Sequence, residues 1–173
     1  MTEQLRYTLL KRFANFELRH YPDFVLVQIE SDGDFARAGS SAFNPLVRYI
    51  SGANLSQKKI SMTAPVIQET IAPQRHLVSF VLPESLEIDQ IPVPSNGKLT
   101  TKLVKAHDVA ALKFSGGWSQ KSFESKTEEL LKALRNENIQ TVGSFYVARF
   151  DPPWKPSFLR HNEVLIDLAH PFK

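Results

Sequence analysis

Apolar and polar residues along this chain switch between two periods, and the switches fall at turn-forming residues. Phe16-Glu-Leu-Arg-His-Tyr21 alternates, with Phe16, Leu18 and His20 on one face and Glu17, Arg19 and Tyr21 on the other. That is the period-two signature of a strand with one covered side. Pro22-Asp23 interrupts it, and Phe24 to Glu30 continues as a second extended stretch. Ser31-Asp-Gly-Asp34 is a turn, and Asp34 is placed to cap a helix beginning just after it. From Phe35 the pattern changes: Phe35, Gly39, Ala42, Phe43, Leu46, Val47 and Ile50 recur at three and four, one wall of a helix. Ser51-Gly52 ends it, because glycine accepts the left-handed conformation beyond a helix C-terminus. Pro45 sits inside that wall. A proline there removes a backbone hydrogen bond and crowds the preceding turn at roughly 3 kcal/mol, so the pattern predicts a kink or a helix that starts later than Asp34.

Lys59-Ile-Ser-Met-Thr-Ala-Pro-Val66 alternates again, with Ile60, Met62, Ala64 and Val66 on one side. Pro65 has no N–H to give to a ladder, so this strand lies at an edge or ends there. His76 to Leu82 is a further strand, stopped by Pro83, and Glu84 to Gly97 reads as an exposed linker. Beyond it Thr101 to Phe114 is extended, Gly116-Gly117 turns, and Phe123, Thr127, Leu130, Leu131 and Leu134 line a second helix. Gln140 to Phe150 is a strand, Asp151-Pro-Pro-Trp-Lys-Pro156 a stiff loop, and Glu163 to Leu168 the last strand.

The second half re-reads the first at a fixed offset. Val25 to Gly33 lies over Val109 to Gly117, and in the helices Leu46, Val47 and Ile50 fall on Leu130, Leu131 and Leu134, with Phe43 on Thr127. A period this long is one supersecondary unit used twice, not a solenoid of three or more. The expectation is a single α+β domain over residues 1–173, built from duplicated βαββ units. Repeat one spans residues 14–83 and repeat two residues 99–170, joined by a linker over 84–98. The eight strands form a distorted β-barrel or a curved antiparallel sheet, with two flanking helices and a pseudo-twofold seam where a ligand fits.

Composition narrows the chemistry. The chain has 173 residues, 42% hydrophobic and 23% charged, an ordinary globular mixture. Without cysteine it has no disulfide, no thiolate nucleophile and no Cys-type metal site. No apolar run approaches the ~20 residues of a membrane span, and the N-terminus shows no secretory signal; we expect a cytoplasmic protein without membrane insertion. The net charge of +3 is scattered rather than gathered into a basic stripe, which argues against nucleic acid as partner.

Catalytic signatures are missing: there is no Gly-x-Ser-x-Gly, Walker loop, Gly-x-Gly-x-x-Gly or His-Glu-x-x-His. This points to binding rather than catalysis. Among the five histidines only His161-Asn-Glu163 approaches a metal-ligand spacing. His20 shares the apolar face of its strand, where an imidazole is either an axial ligand for haem iron or a core or rim histidine bonded to a carbonyl. Met62 reads as core or as a soft contact. Phe43 and Val47 with Arg48 beside them form either core plus a snorkelling arginine or the wall of an apolar pocket whose arginine meets a carboxylate. Trp154 and Lys155 are held by the prolines around them, as a plain connection or as an aromatic and cation pair at an opening.

Five stretches together resemble the SOUL haem-binding family: Phe16 to Pro22, Arg48 to Asn54, Ile60-Ser-Met-Thr-Ala-Pro-Val66, Phe150 to Pro156 and Arg160-His-Asn-Glu-Val164. The resemblance implies a fold like the GyrI-like ligand-binding domains of bacterial regulators. It implies a non-enzymatic carrier or buffer that binds haem or a related tetrapyrrole in a shallow apolar groove beside the first helix, with haem not required for folding. It implies that Phe43 and Val47 line the groove, that Arg48 and Lys155 meet the propionates, and that His20 is an axial ligand to the iron. Ser40 stands where some relatives carry arginine. A GyrI-like binder of another hydrophobic molecule, or an enzyme acting on a tetrapyrrole, are the alternatives.

Overall fold

The computed structural model describes residues 2–173. Among them the elements run in the order β1 (Glu3–Gln4), β2 (Thr8–Arg12), β3 (Glu17–Tyr21), β4 (Phe24–Asp32), α1 (Phe35–Ile50), β5 (Thr63–Ala64), β6 (Val66–Ala72), β7 (Arg75–Val81), β8 (Leu99–Val104), β9 (His107–Phe114), α2 (Gln120–Asn136), β10 (Thr141–Arg149) and β11 (Asn162–Leu168). The fold is α+β, with two helices and nine strands of open antiparallel sheet; the strands do not close into an eight-stranded barrel, one of the two forms expected.

The chain divides into two compact units. One holds the N-terminus through Leu5 and Asp23–Val104; the other holds Arg6–Pro22 and Lys105–Lys173. In the first the strand order is β6-β7-β4-β8, and in the second β10-β11-β9-β3 with β2 added outside β3. Each βα segment thus pairs with a strand far from it in sequence. In the second unit Leu18 of β3 lies opposite Ala110 of β9, and in the first Leu26 of β4 lies opposite Lys102 of β8. β3, from early in the chain, thus completes the sheet of the later residues, and β8 that of the earlier ones.

In the first unit α1 starts where Asp34 predicts, its carboxylate accepting from the Arg37 N–H at 2.8 Å. The helix runs on through Pro45 rather than starting later. Pro45 leaves the Ser41 carbonyl, four residues back, without its usual donor, and Ser41 is on the exposed side, so that carbonyl is not sealed in the core. Ala42, Leu46, Tyr49 and Ile50 bury against Val27, Ile29, Val78, Phe80, Leu82 and Leu99. In the second unit α2, capped by Ser119, packs Leu130 and Leu134 on Phe16, Leu18, Ala110, Leu112, Val164 and Ile166. Each fully buried large apolar side chain stabilises by about 1.5–3 kcal/mol.

Two departures from the residue pattern have simple causes. The stretch Thr101–Phe114 is two strands joined at Lys105-Ala106, a turn without Gly, Pro or Asn to announce it. The Ile60–Val66 alternation breaks as well. Ile60 and Ala64 are buried but Met62 is exposed, and the strand divides at Pro65 into β5, paired parallel with β1, and β6.

The connection after α1 is held by one side chain. Buried Asn54 donates to the Tyr49 carbonyl at 3.0 Å and the Lys58 carbonyl at 2.8 Å, and accepts from the Lys58 N–H at 3.0 Å. Asn54→Ala would remove three hydrogen bonds to the backbone, each contributing about 1 kcal/mol net. We predict a loss of about 2–3 kcal/mol in urea denaturation; a loss below about 0.5 kcal/mol would show that the clamp does not hold the connection.

Candidate functional site

The seven positions singled out in the sequence fall in both units, Phe43, Val47, Arg48 and Met62 in the first and His20, Trp154 and Lys155 in the second. In the first unit Phe43 is 41% exposed, and its ring meets the buried Phe80 edge-on with centroids 5.6 Å apart. Val47, one turn on, is half-buried against the same core. Together they form an apolar shoulder on α1. Arg48 is exposed, and its guanidinium has no partner among the described residues. It lines a cleft of about 400 Å³ with Asn44, Pro45, Tyr49, Ala53, Ser95, Asn96 and Leu99. Phe43 and Val47 do not line this cleft. At 100° per residue Arg48 and Asn44 lie on the strip beside the shoulder, so the cation stands next to the apolar wall rather than within it. Ser40, also exposed, donates its hydroxyl to the Ala36 carbonyl at 3.1 Å.

In the second unit His20 lies opposite Asp108 in the β3–β9 ladder, and its Nδ1 is 2.6 Å from the Asp108 carboxylate. The other Asp108 oxygen accepts from the Phe172 N–H at 2.8 Å, which fixes the carboxylate. A carboxylate can only accept here, so Nδ1 carries the proton and the lone pair sits on Nε2. The ring is 43% exposed, and Nε2 has no partner among the described residues. Metal-binding imidazoles are held by this same carboxylate–histidine arrangement. His20 is thus neither core nor bonded to a carbonyl.

Lys155 is less free than its loop position suggests. Its Nζ donates to Asp151 at 2.7 Å, and the second Asp151 oxygen accepts from the His161 N–H at 2.5 Å. Burial works against the Asp151 charge, but these two donors outweigh it and hold the carboxyl below its usual range. Trp154 stands in water beside it. Among the described residues no group of three or more His, Asp or Glu is placed to hold a metal ion, so His161-Asn-Glu163 does not form a metal site.

Strand alternation does not reveal the polar centre of the second unit. Arg19, on the face that alternation gives to solvent, is wholly buried, as is Glu163 of β11. The guanidinium meets the carboxylate in a two-pronged pair at 2.6 and 2.9 Å. Arg19 also donates to Glu17 at 3.0 Å and to the Tyr21 hydroxyl at 3.1 Å, with the Tyr7 ring 4.1 Å from its central carbon. His161 approaches Glu163 at 3.5 Å. Burial alone would raise the Glu163 carboxyl; His161 and Arg19 more than reverse this and hold it below the usual carboxylate range. Burial opposes the charge of Arg19, which its carboxylate partner raises overall, while burial pushes the Tyr21 hydroxyl up to about 12. A signal existed: Asn162-Glu-Val-Leu-Ile166 is a strand whose apolar run does not alternate, the mark of a strand covered on both faces. A carboxylate in such a strand needs a buried cation.

Removing one partner strands the other charge. We predict that Arg19→Met costs about 3–5 kcal/mol in chemical denaturation, and that adding Glu163→Leu to it recovers most of the loss. The depressed Glu163 carboxyl contributes stability that is present above the unfolded carboxylate range and lost as pH falls through the folded value. Glu163→Gln should therefore flatten the acid side of the stability profile. A wild-type slope in that variant would assign acid sensitivity to other carboxylates.

This chain has relatives in sequence and in fold. The family model described as SOUL heme-binding protein matches residues 2–167. No curated protein sequence matches the chain. Among solved structures the chain is similar to the C-terminal domain of EcmrR, with a TM-score of 0.67, 11% identity and coverage of 95% of this chain and 99% of that one. It is also similar to a hydrolase from Listeria innocua, with a TM-score of 0.60, 9% identity and coverage of 92% and 94%. At these identities the likeness is one of fold.

Proposed function

We propose a function from one premise: this chain belongs to the SOUL heme-binding protein family. On our reading it is a non-enzymatic protein that binds haem or a related tetrapyrrole in a shallow groove beside α1, as a carrier or buffer. The observation that carries this reading is the apolar shoulder of Phe43 and Val47 with the unpartnered Arg48 next to it. A flat macrocycle with carboxylate arms needs both: apolar area to cover, at about 25 cal/mol per Å² removed from water, and a cation at the rim.

In the first unit the residues present fit such a group. Phe43 and Val47 offer the wall and Arg48 the charge. Met62, exposed just before β5, adds a soft contact. Lys155, Trp154 and His20 belong to the second unit and count there by themselves; Lys155 meets an anion only by sharing Asp151 or releasing it. Trp154 adds an exposed aromatic face. His20 is set to give its Nε2 lone pair, because Asp108 holds the proton on Nδ1. Bound haem would supply an iron centre for that nitrogen; the chain itself binds, orients and screens.

Hemin titration checks this. A Soret shift saturating at about one equivalent is expected, with Arg48→Ala weakening binding by about tenfold, the weight of one charge-assisted hydrogen bond. His20→Ala should alter the band position more than the stoichiometry. Linear, unsaturable absorbance would remove the proposal.

A second reading rests on the cleft of about 400 Å³ at Arg48, whose lining mixes Asn44 and Asn96 with Tyr49 and Leu99. It suits a smaller hydrophobic molecule with one acceptor group, the mode the GyrI-like resemblance implies. Thermal stabilisation by such a compound and not by porphyrins would favour it.

A further inference from the structure

The segment from Asp151 to Arg160 presents three large apolar side chains to water within six residues. Trp154 is 83% exposed, Phe158 73% and Leu159 56%. Scattered apolar residues on a surface need no explanation, but three on one short loop do. We propose that this loop is an interfacial anchor that seats the protein on an anionic lipid surface.

The loop's backbone supports this assignment. A segment entering the headgroup region gives up water, so its N–H and C=O groups must find partners of their own. Pro152, Pro153 and Pro156 have no N–H. Of the rest, Lys155 N donates to the Pro152 carbonyl at 3.2 Å, Leu159 N to Pro156 at 2.9 Å and Arg160 N to Ser157 at 3.1 Å. The Arg160 guanidinium donates to the Lys155 carbonyl at 2.8 Å and the Pro153 carbonyl at 2.5 Å. Gly116 N ties the loop to the neighbouring turn through the Ser157 carbonyl at 2.9 Å. The N–H groups of Lys155, Leu159 and Arg160 and the carbonyls of Pro152, Pro153, Lys155, Pro156 and Ser157 are thus paired, while the apolar side chains stand in water.

The shape is held rather than adaptable. Arg160 lies over the Trp118 ring at 4.4 Å, and Asp151 is locked by Lys155 and His161. Lipid is favoured over a protein groove by chemistry. The segment Asp151 to Arg160 holds Lys155 and Arg160 against the single carboxylate of Asp151, so its balance is one positive charge, the sign that complements anionic headgroups. Tryptophan favours the membrane interface, where its ring is apolar and its N–H stays wet. No helix among the described residues is long and apolar enough to cross a membrane, so the contact is peripheral.

The test uses the full chain with vesicles of phosphatidylcholine alone and of phosphatidylcholine with phosphatidylglycerol. Co-sedimentation with the anionic vesicles and a blue shift of tryptophan emission are expected. Phe158→Ser/Leu159→Ser should lower the vesicle partition about tenfold or more while keeping the wild-type melting temperature, since both side chains already stand in water. Trp154→Ser gives a second, independent variant with the same expected loss. No sedimentation of the wild-type chain, or sedimentation that these variants retain, would overturn the proposal. So would loop-dependent self-association without lipid, which would assign the surface to a second copy of the chain.

Discussion

The buried pair between Arg19 and Glu163 is the constraint on which the second unit rests. Two charges removed from water cost several kcal/mol each unless their geometry and further hydrogen bonds repay it. Here Glu17, Tyr21 and His161 supply those further contacts. The pair reaches from β3 to β11 across β9, so it locks in the strand that comes from the start of the chain. Arg19 and His20 are neighbours on that strand and point to opposite faces. One face is clamped by Glu163 and the other by Asp108, which leaves the His20 ring a single orientation. The ion pair holds the strand, and Asp108 holds the imidazole that the strand carries.

The first unit is built differently. Its polar demands are met at the end of α1, where Asn54 and the Tyr49 hydroxyl, 2.7 Å from the Pro92 carbonyl, close the connections. The helix itself carries an ordinary core on one side, which leaves its flank free to vary. Phe43 is larger than the core needs, and the ring rests on Phe80 with part of its surface in water. Arg48 adds a cation that nothing in the unit neutralises. An apolar surplus next to an unspent charge is the feature that a ligand with a flat body and an anionic edge would satisfy.

Much of this is legible in the residue pattern. Asp34 as the cap of α1, the apolar walls of both helices, β7 and β11 follow from periodicity and turn chemistry, because local rules decide them. Four features escape it. Thr8–Arg12 is exposed on both sides as an outer strand, so it has no alternation to read. The exchange of β3 and β8 depends on pairings between distant residues, which no local pattern encodes. Alternation assigns Arg19 to solvent because it assumes one wet face, whereas Leu18 and Arg19, successive residues of β3, are both buried. Pro45 argues for a later start of α1, yet the lost hydrogen bond falls on the exposed side, where its cost is small. Of the site, Phe43, Val47 and Arg48 are placed by helix geometry, whereas the carboxylate behind His20 and the one holding Lys155 lie far from them or across a loop.

The proposed binding role rests in the first unit on an exposed aromatic and a lone cation, which leave weak marks in a sequence. Their joint meaning is settled by occupancy in the cell. The most direct measurement is the haem content per chain of protein purified from cells fed iron and haem precursor, compared with an Arg48→Ala chain prepared alongside. The account predicts about one tetrapyrrole per wild-type chain and a marked loss in the variant. A faint tint, equal in both, would contradict it.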